Sequence, residues 1–300
     1  MFLLAHLSDP HLGPLPAPRW RELMGKRATG FANWWRKRHL IHRGEALARI
    51  VADLKAQAPD HIAVTGDLVN ISLPGEYAPA RAWLESLGTS RDVTLVPGNH
   101  DIYVRGAASY PRRHWSEYMR ADEGEPADDE AFPFVRRRGA LALIGLSSAV
   151  ATAPLLATGR LGAMQLERLG PLLERCAGEG RFRVVLIHHP PLSTPKRRLK
   201  RLVDGAALRA VLSRHGAELV IHGHDHEHSL IELPGPQRSI PVVGVPSASA
   251  TPPGEHDAAG YNLYRIDGPA GAWRCEAISR GLAPDGGAVV EIKRMELMNG

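Results

Sequence analysis

The sequence is poor in cysteine and in long apolar runs. Its two cysteines, Cys176 and Cys275, lie far apart and outside any CxxC pattern, which excludes a disulfide framework and a thiolate metal site. The longest nearly apolar stretch, residues 140–151, is shorter than the roughly 20 residues that cross a bilayer. No leader with a basic and an apolar part precedes the first polar motif, so we expect no signal peptide and a cytoplasmic protein with reduced thiols.

Charge is present but unevenly placed. The chain carries a net charge of +5, whereas residues 19–43 alone contain eight Lys and Arg and one Glu. A hydrophobic fraction of 44% is enough for a packed core, so bulk disorder is excluded. The basic excess is a local feature of one segment and needs a local explanation.

Apolar runs typical of strands alternate with stretches of helical periodicity. Strands are predicted at residues 2–8, 62–65, 93–96, 141–146, 184–187, 219–221 and 240–245. Helices are predicted at residues 44–58, 76–87, 164–176 and 205–215. Two further runs predict a C-terminal β-hairpin at about residues 261–279. This alternation predicts an α/β fold in which helices cover the sheets.

Five short polar loops each follow one of the predicted strands. They are Asp9-Pro10-His11, Gly66-Asp67, Gly98-Asn99-His100-Asp101, His188-His189-Pro190 and Gly223-His224-Asp225-His226. Because ligand sites in α/β folds form beyond the carboxyl ends of the strands, we expect these loops to meet at one site.

The residue types in these loops suit metal ions. Imidazole and carboxylate ligands favour Mn, Fe, Zn or Co, and the absence of nearby cysteine argues against a structural zinc site. One carboxylate can bridge two cations about 3.5–4 Å apart, and Asp67 is the candidate bridge. His189 and His222 flank candidate ligands and could support them, whereas His42 and the other histidines outside the loops are expected to be structural or exposed.

The ordered set of loops resembles the calcineurin-like metallophosphoesterase superfamily, with its D-x-H, GD, GNH-D/E, H and G-H-x-H motifs between residues 9 and 226. The resemblance implies a single domain over residues 1–300 with a four-layer αββα sandwich of two mixed sheets flanked by helices. It implies one metal held by Asp9, His11, Asp67 and His226. It implies a second metal held by Asp67, Asn99, His188 and His224.

The resemblance also implies a hydrolytic mechanism. His100 would be a catalytic histidine that is not a ligand, oriented by Asp101. The implied cofactors are two divalent ions, with Mn expected first and Fe or Zn as alternatives. Once two carboxylates and a hydroxide are bound, the net charge of the site is near +1. A metal-bridging hydroxide would attack phosphorus in line, and His100 as imidazolium would protonate the leaving oxygen.

The basic segment lies in an insertion at about residues 14–43 that the motifs do not explain. Its apolar residues, Trp20, Leu23, Met24, Phe31, Trp34 and Trp35, share one helical stripe. The stripe could pack on the core as a helical hairpin, or residues 19–43 could contact a lipid headgroup or the inner membrane surface. Nucleic acid is a weaker alternative because no recognition module is visible.

A second basic run follows the fourth loop and contains Lys196, Arg197, Arg198, Lys200 and Arg201. Basic residues near a metal site favour a polyanionic substrate, so Arg197, Arg198 and also Asn70 are candidate substrate contacts.

Two substrate classes therefore compete. One is a lipid-linked pyrophosphate such as UDP-2,3-diacylglucosamine, and the other is a cyclic nucleotide or a glycerophosphodiester. A non-catalytic scaffold is a third hypothesis, which the complete ligand set disfavours.

Overall fold

The computed structural model describes residues 1–123, 132–251, 257–283 and 286–300. The strands are β1 (Phe2–Leu7), β2 (His61–Val64), β3 (Val93–Leu95), β4 (Phe134–Arg138), β5 (Leu141–Gly145), β6 (Phe182–Leu186), β7 (Leu219–His222), β8 (Ser229–Leu233), β9 (Ile240–Gly244), β10 (Gly260–Asp267), β11 (Arg274–Leu282) and β12 (Val289–Asn299). The α-helices are α1 (Lys26–Asn33), α2 (His39–Ile41), α3 (Gly44–Ala56), α4 (Tyr77–Leu87), α5 (Tyr110–Trp115), α6 (Ala163–Gly178) and α7 (Gly205–His215). A π-helical turn, Trp34–Arg38, joins α1 to α2, and short 3-10 helices span Trp20–Leu23, Pro74–Glu76, Arg105–Ala107, Ser116–Tyr118 and Pro195–Lys200.

The strands form two mixed six-stranded sheets. The first has the order β12-β11-β10-β1-β2-β3, in which β1, β2 and β3 run parallel and β10 to β12 form an antiparallel meander. The second has the order β4-β5-β6-β7-β9-β8, with four parallel central strands and antiparallel strands at both edges. The strands of the expected C-terminal hairpin, β10 and β11, pair from Gly260↔Gly281 to Asp267↔Arg274, and β12 extends the pair.

Alternating side chains divide the apolar residues of the second sheet between two cores. Leu141 and Leu143 of β5 pack with residues of the first sheet, whereas Ala142 and Ile144 pack with helices α6 and α7. Successive strand residues point to opposite faces, so a strand buried on both sides is apolar throughout. Helices α3 and α4 cover the outer face of the first sheet. The predicted four-layer αββα sandwich is confirmed.

The three strands that the apolar runs did not predict, β4, β8 and β12, all lie at sheet edges. Strand β4 contains three arginines. Most residues of β12 are exposed, and four of its eleven residues, Glu291, Lys293, Arg294 and Glu296, are charged. Charged edge strands protect a sheet from pairing with another chain. Because these strands are polar, they lack the apolar runs from which the other strands were predicted.

The insertion does not pack its apolar stripe on the core. Trp20 is 72%, Met24 68% and Trp35 67% exposed, whereas the residues of α1 that are buried are Lys26 and Gly30. Of the two alternatives for this segment, the helical hairpin packed on the core is not formed, because several short helical turns replace one continuous helix. No helix among the described residues is long and apolar enough to span a membrane.

Candidate active site

The five polar loops converge at one edge of the sandwich. Asp9 follows β1, Asp67 follows β2 and Asn99 follows β3 in the first sheet, while His188 follows β6 and His224 follows β7 in the second. Within each sheet these strands run parallel, so their carboxyl ends lie together. The facing sheets thus supply ligands from two sides.

Five of the seven predicted metal ligands have a left-handed backbone conformation. The φ angles are 52° for Asp9, 40° for His11, 56° for Asp67, 67° for His224 and 56° for His226. Such conformations cost free energy for residues other than glycine and cluster at functional sites. Here the sharp turns aim successive polar side chains into the space between the sheets.

Asp67 lies at the centre of the cluster. Its Oδ2 atom is 3.9 Å from Nε2 of His11 on one side and 3.4 Å from Nε2 of His188 on the other. Its Oδ1 atom accepts a hydrogen bond of 2.7 Å from the backbone N–H of His100. This position between two sets of ligands fits the predicted bridge.

One set surrounds Asp9. Its Oδ1 atom lies 3.0 Å from Nε2 of His226 and 3.9 Å from Nε2 of His11, and its Oδ2 atom accepts a 2.9 Å hydrogen bond from the backbone N–H of His224. The ring of His42 joins this set, because one ring nitrogen each of His11, His42 and His226 lie within 4.8 Å of one another. His42 was expected to be structural or exposed, and the fold instead brings it to the site.

The other set surrounds His188. Its Nε2 atom lies 3.2 Å from Oδ1 of Asn99 and 3.2 Å from Nδ1 of His224. The neighbouring His189 contributes a third imidazole to this group, and its Nδ1 atom is held by the hydroxyl of Ser148 at 2.7 Å. His222 is buried, and its Nδ1 atom lies 3.0 Å from the carbonyl of Gly223.

Three of these histidines are anchored on backbone carbonyl groups by the ring nitrogen that faces away from the carboxylates. The distances are 3.3 Å from His11 to Val69, 2.6 Å from His188 to Thr65 and 2.9 Å from His224 to Lys200. A carbonyl oxygen only accepts, so the anchored nitrogen carries a hydrogen and the other nitrogen is directed at Asp67, Asp9 or a second imidazole. Facing acceptors of this kind need a positive charge between them, which a proton or a metal ion can supply, and the donor set fits divalent metal ions.

The electrostatics of the site agree with that requirement. Burial opposes ionisation of Asp9, but the neighbouring His226 holds its pKa well below the usual range. Burial likewise disfavours a charged His188, yet the Asp67 carboxylate raises the pKa of His188 to about 10. The ionised carboxylates therefore draw positive charge into a buried place, which is the role of a metal ion.

His100 stands beside the ligand sets. Its Nδ1 atom contacts the carbonyl oxygen of Asn70, and its ring stacks on Tyr103 with centroids 5.2 Å apart. Burial, and then the positive charge of Arg38, lower the pKa of His100 to about 3. Both effects favour the neutral ring, and the expected imidazolium of His100 stays a prediction.

Asp101 does not contact the ring that it was expected to orient. Its carboxylate accepts hydrogen bonds from four backbone N–H groups, those of Asp67 at 2.9 Å, Leu68 at 2.8 Å, Val69 at 3.1 Å and Gly98 at 2.8 Å. Asp101 thus ties the loop after β2 to the loop after β3. It positions the Asp67 carboxylate, while the carbonyl of Asn70 positions His100.

No motif singled out Arg38, which the insertion delivers to the site. One Nη atom lies 3.1 Å from Nδ1 of His100, and the other lies 3.4 Å from Nε2 of His11. Among the described residues, no carboxylate lies within ion-pair distance of this guanidinium. The only sequence signal for Arg38 was the local excess of basic residues.

The predicted substrate contacts have different surroundings. The side chain of Asn70 donates to the carbonyl of Leu12 at 2.8 Å, and its Oδ1 atom is buried with no protein partner. Arg197 forms ion pairs with Asp225 and with Glu227, which hold it against the fifth loop. The side chain of Arg198 is exposed. Contact of these three residues with a substrate stays a prediction.

Fold and site together define a hydrolase with a two-metal centre between facing sheets. Residues 2–228 match the family model described as calcineurin-like phosphoesterase, and the chain belongs to that family. It is accordingly a metallophosphoesterase that acts on phosphoric ester bonds.

The names of two relatives agree with this assignment, and a solved structure shares the fold. A protein of a Synechococcus species named as a probable cyclic nucleotide phosphodiesterase is 27% identical over 232 residues, which cover 76% of this chain and 80% of that protein. A glycerophosphodiester phosphodiesterase of Enterobacter lignolyticus is 33% identical over 102 residues, covering 33% of this chain and 29% of that protein. The crystal structure of a dimetal phosphatase from Danio rerio has a TM-score of 0.64 at 12% identity and covers 100% of this chain and 99% of that one, which shows a shared fold.

Proposed function

We propose that the protein is a two-metal phosphodiesterase that hydrolyses one ester bond of a small phosphodiester. The observation that carries the proposal is the set of imidazole nitrogens and carboxylate oxygens that face each other around Asp67, between Asp9 and His188. The names of the Synechococcus and Enterobacter relatives support a diester as the substrate class.

The residues of the chain have distinct roles in this proposal. Asp9, His11, Asp67 and His226 would hold one ion, and Asp67, Asn99, His188 and His224 the other. Divalent ions in such a centre, for which we propose Mn²⁺, supply electrophilic activation of water and of the phosphoryl oxygens. The chain's part is to keep the ligands apart at a fixed spacing and the anchored histidines in one tautomer.

Arg38 supports a phosphate ester as the ligand. A guanidinium that is withdrawn from solvent normally has a carboxylate partner, and the half-buried Arg38 has imidazole nitrogens instead. A metal at Nε2 of His11 would take one of those contacts, which leaves the guanidinium for the oxygens of a substrate phosphate. His100 lies next to the same place, where it can exchange a proton with the leaving oxygen.

The test is hydrolysis of bis-p-nitrophenyl phosphate by the purified protein. We expect activity with Mn²⁺, loss of activity with a chelator, and recovery when Mn²⁺ is returned. Asp67→Ala should lose both bound metal and activity, whereas His100→Ala should keep the metal and lose about 10²- to 10⁴-fold in kcat/KM. His215→Ala, a histidine at the opposite end of the strands, is the matched control. Full activity of either active-site variant would refute the assigned roles.

A lipid-linked pyrophosphate such as UDP-2,3-diacylglucosamine is the second candidate substrate. The exposed tryptophans and basic residues of the insertion favour it. Incubation of the Mn²⁺-loaded protein with cyclic nucleotides, glycerophosphodiesters and UDP-2,3-diacylglucosamine, followed by ³¹P detection, identifies the bond that is cleaved. Turnover of the diesters alone supports the first candidate, and turnover of the pyrophosphate alone replaces it with the second.

A further inference from the structure

Exposed apolar side chains are concentrated in three segments of this protein. The segments are residues 20–41, 152–157 and 192–203. Eight of the thirteen large hydrophobic side chains that are exposed in the described part of the chain belong to them: Trp20, Met24, Trp35, Leu40, Leu155, Leu192, Leu199 and Val203. Scattered exposed apolar residues are ordinary, but a cluster of this kind marks an interaction surface.

The three segments contact one another next to the metal centre. Nζ of Lys26 donates to Oγ1 of Thr152 at 2.6 Å and to the carbonyl of Leu156 at 3.0 Å, which joins the first segment to the second. The backbone N–H of Ala157 donates to the carbonyl of Leu199 at 2.9 Å, which joins the second segment to the third.

Two contacts connect the ends of this chain of segments to the site. Arg38 of the first segment reaches His100 and His11. The carbonyl of Lys200 in the third segment holds Nε2 of His224 at 2.9 Å. The exposed apolar side chains therefore lie on elements that border the candidate active site, and we call these three segments the collar.

The collar is also strongly basic. Residues 20–41 have six Lys and Arg and one Glu, residues 192–203 have five Lys and Arg and no acidic residue, and residues 152–157 have no charge. Since the whole chain carries only +5, the rest of the molecule is net negative. Arg21, Arg36, Lys37, Arg198 and Lys200 are exposed.

We propose that the collar docks the protein onto a bilayer that contains anionic phospholipid. Tryptophan prefers the interface between headgroups and acyl chains, and lysine and arginine add attraction to anionic headgroups. Each of the two exposed tryptophans, Trp20 and Trp35, is followed directly by an exposed arginine, which fits a charged lipid surface better than an apolar protein groove. Docking would turn the candidate metal centre toward the membrane.

Vesicle co-sedimentation tests the proposal with the full chain and without substrate. Wild-type protein should pellet with phosphatidylcholine vesicles that contain about one third phosphatidylglycerol, and should stay in the supernatant with phosphatidylcholine alone. Trp20→Ala/Trp35→Ala should reduce the pelleted fraction at least fivefold. Val290→Ala/Ile292→Ala, which removes exposed apolar side chains from edge strand β12, is the matched control and should bind as the wild type does.

Two charge-reversal variants test the contribution of the basic residues. Arg36→Glu/Lys37→Glu should weaken binding to the anionic vesicles, whereas Arg214→Glu/Arg238→Glu, exposed at the other end of the strands, should not. All variants should hydrolyse bis-p-nitrophenyl phosphate at the wild-type rate, so loss of vesicle binding is separable from failure of the proposed function. The proposal is overturned by wild-type protein that stays in the supernatant, by equal pelleting of the tryptophan variant, or by an equal loss in the controls. Capture of a protein partner by the same face, with no vesicle binding, would also overturn it.

Discussion

At the scale of single residues, the backbone of the candidate ligands is the most unusual feature. Asp9, His11, Asp67, His224 and His226 all have positive φ angles, which side chains disfavour. Glycines absorb the crowding beside them, because a Cβ atom on Gly98 would collide with the Asp67 carboxylate and one on Gly223 with Ser8 and Asp9. The G-D, G-N-H and G-H motifs therefore record steric demands of the site as well as ligand types.

At this scale we predict the effect of replacing Arg38. Arg38→Ala should lower kcat/KM for bis-p-nitrophenyl phosphate by about 10²- to 10³-fold, because a positioned donor to the phosphate oxygens is lost. Metal content should not change. Arg38→Lys should restore part of the activity, since it keeps the charge but loses the planar fork.

The matched control for Arg38 is Arg36→Ala, which removes an exposed arginine two positions earlier in the same turn. The measurement is kcat/KM of each variant and of the wild type, from steady-state kinetics with Mn²⁺ in excess. Equal kcat/KM for Arg38→Ala and the wild type would show that the guanidinium does not reach the substrate.

At the scale of elements, the loops after β2 and β3 act as one unit. Asp101 accepts four backbone hydrogen bonds that join them, and Tyr77 of α4 donates to the Asp101 carbonyl at 2.8 Å. Burial and the nearby Asp67 raise the pKa of Asp101 to about 7. A buried carboxylate that serves backbone groups in this way is a structural part of the site.

Asp101→Ala should therefore destabilise the fold and the metal site together. Backbone N–H groups left without acceptors cost about 1–3 kcal/mol each, and partial relaxation brings the expected loss to at least about 3 kcal/mol. Urea unfolding in chelator measures the free energy of unfolding, and elemental analysis measures the bound metal.

Asp204→Ala provides the comparison for Asp101. Its carboxylate accepts from the backbone N–H groups of Leu161 and Gly162, outside the ligand loops. This variant should lose stability and keep its metal. If Asp101→Ala binds metal as well as Asp204→Ala does, the two loops do not need that carboxylate to position Asp67.

At the scale of the whole molecule, the site exists only because two sheets face each other. Asp9, Asp67 and Asn99 come from the first sheet, and His188 and His224 come from the second. Ligands on both sheets mean that a bound ion links the two halves of the sandwich. Metal binding should therefore stabilise the entire fold.

The magnitude follows from mass action. Mn²⁺ at one hundred times its dissociation constant should raise the free energy of unfolding by about 2.7 kcal/mol relative to the chelated protein, or the midpoint of thermal unfolding by roughly 5 °C. Asp67→Asn should show a much smaller increase, because the central carboxylate charge is gone. An equal increase in both proteins would place the stabilising metal elsewhere.

Much of the sandwich was predictable from periodicity. Helix α7 was predicted with its observed ends, Gly205 and His215, and the central strands were found to within about two residues. The three edge strands were missed because their alternation is polar and their partners are distant in sequence. The insertion was predicted as one stripe, but glycines and a π-helical turn break its period.

By itself the sequence determined which chemical groups the site contains, in which order they occur and where on the strands they stand. Local patterns carry this information, since a ligand type and the end of a strand can both be recognised from a few neighbouring residues. The tertiary structure alone decided that Arg38 and His42 enter the site, that Asp101 accepts hydrogen bonds from backbone amides and that Trp20 and Trp35 of the insertion face outward. Those outcomes depend on contacts between segments far apart in the chain, which no local pattern encodes.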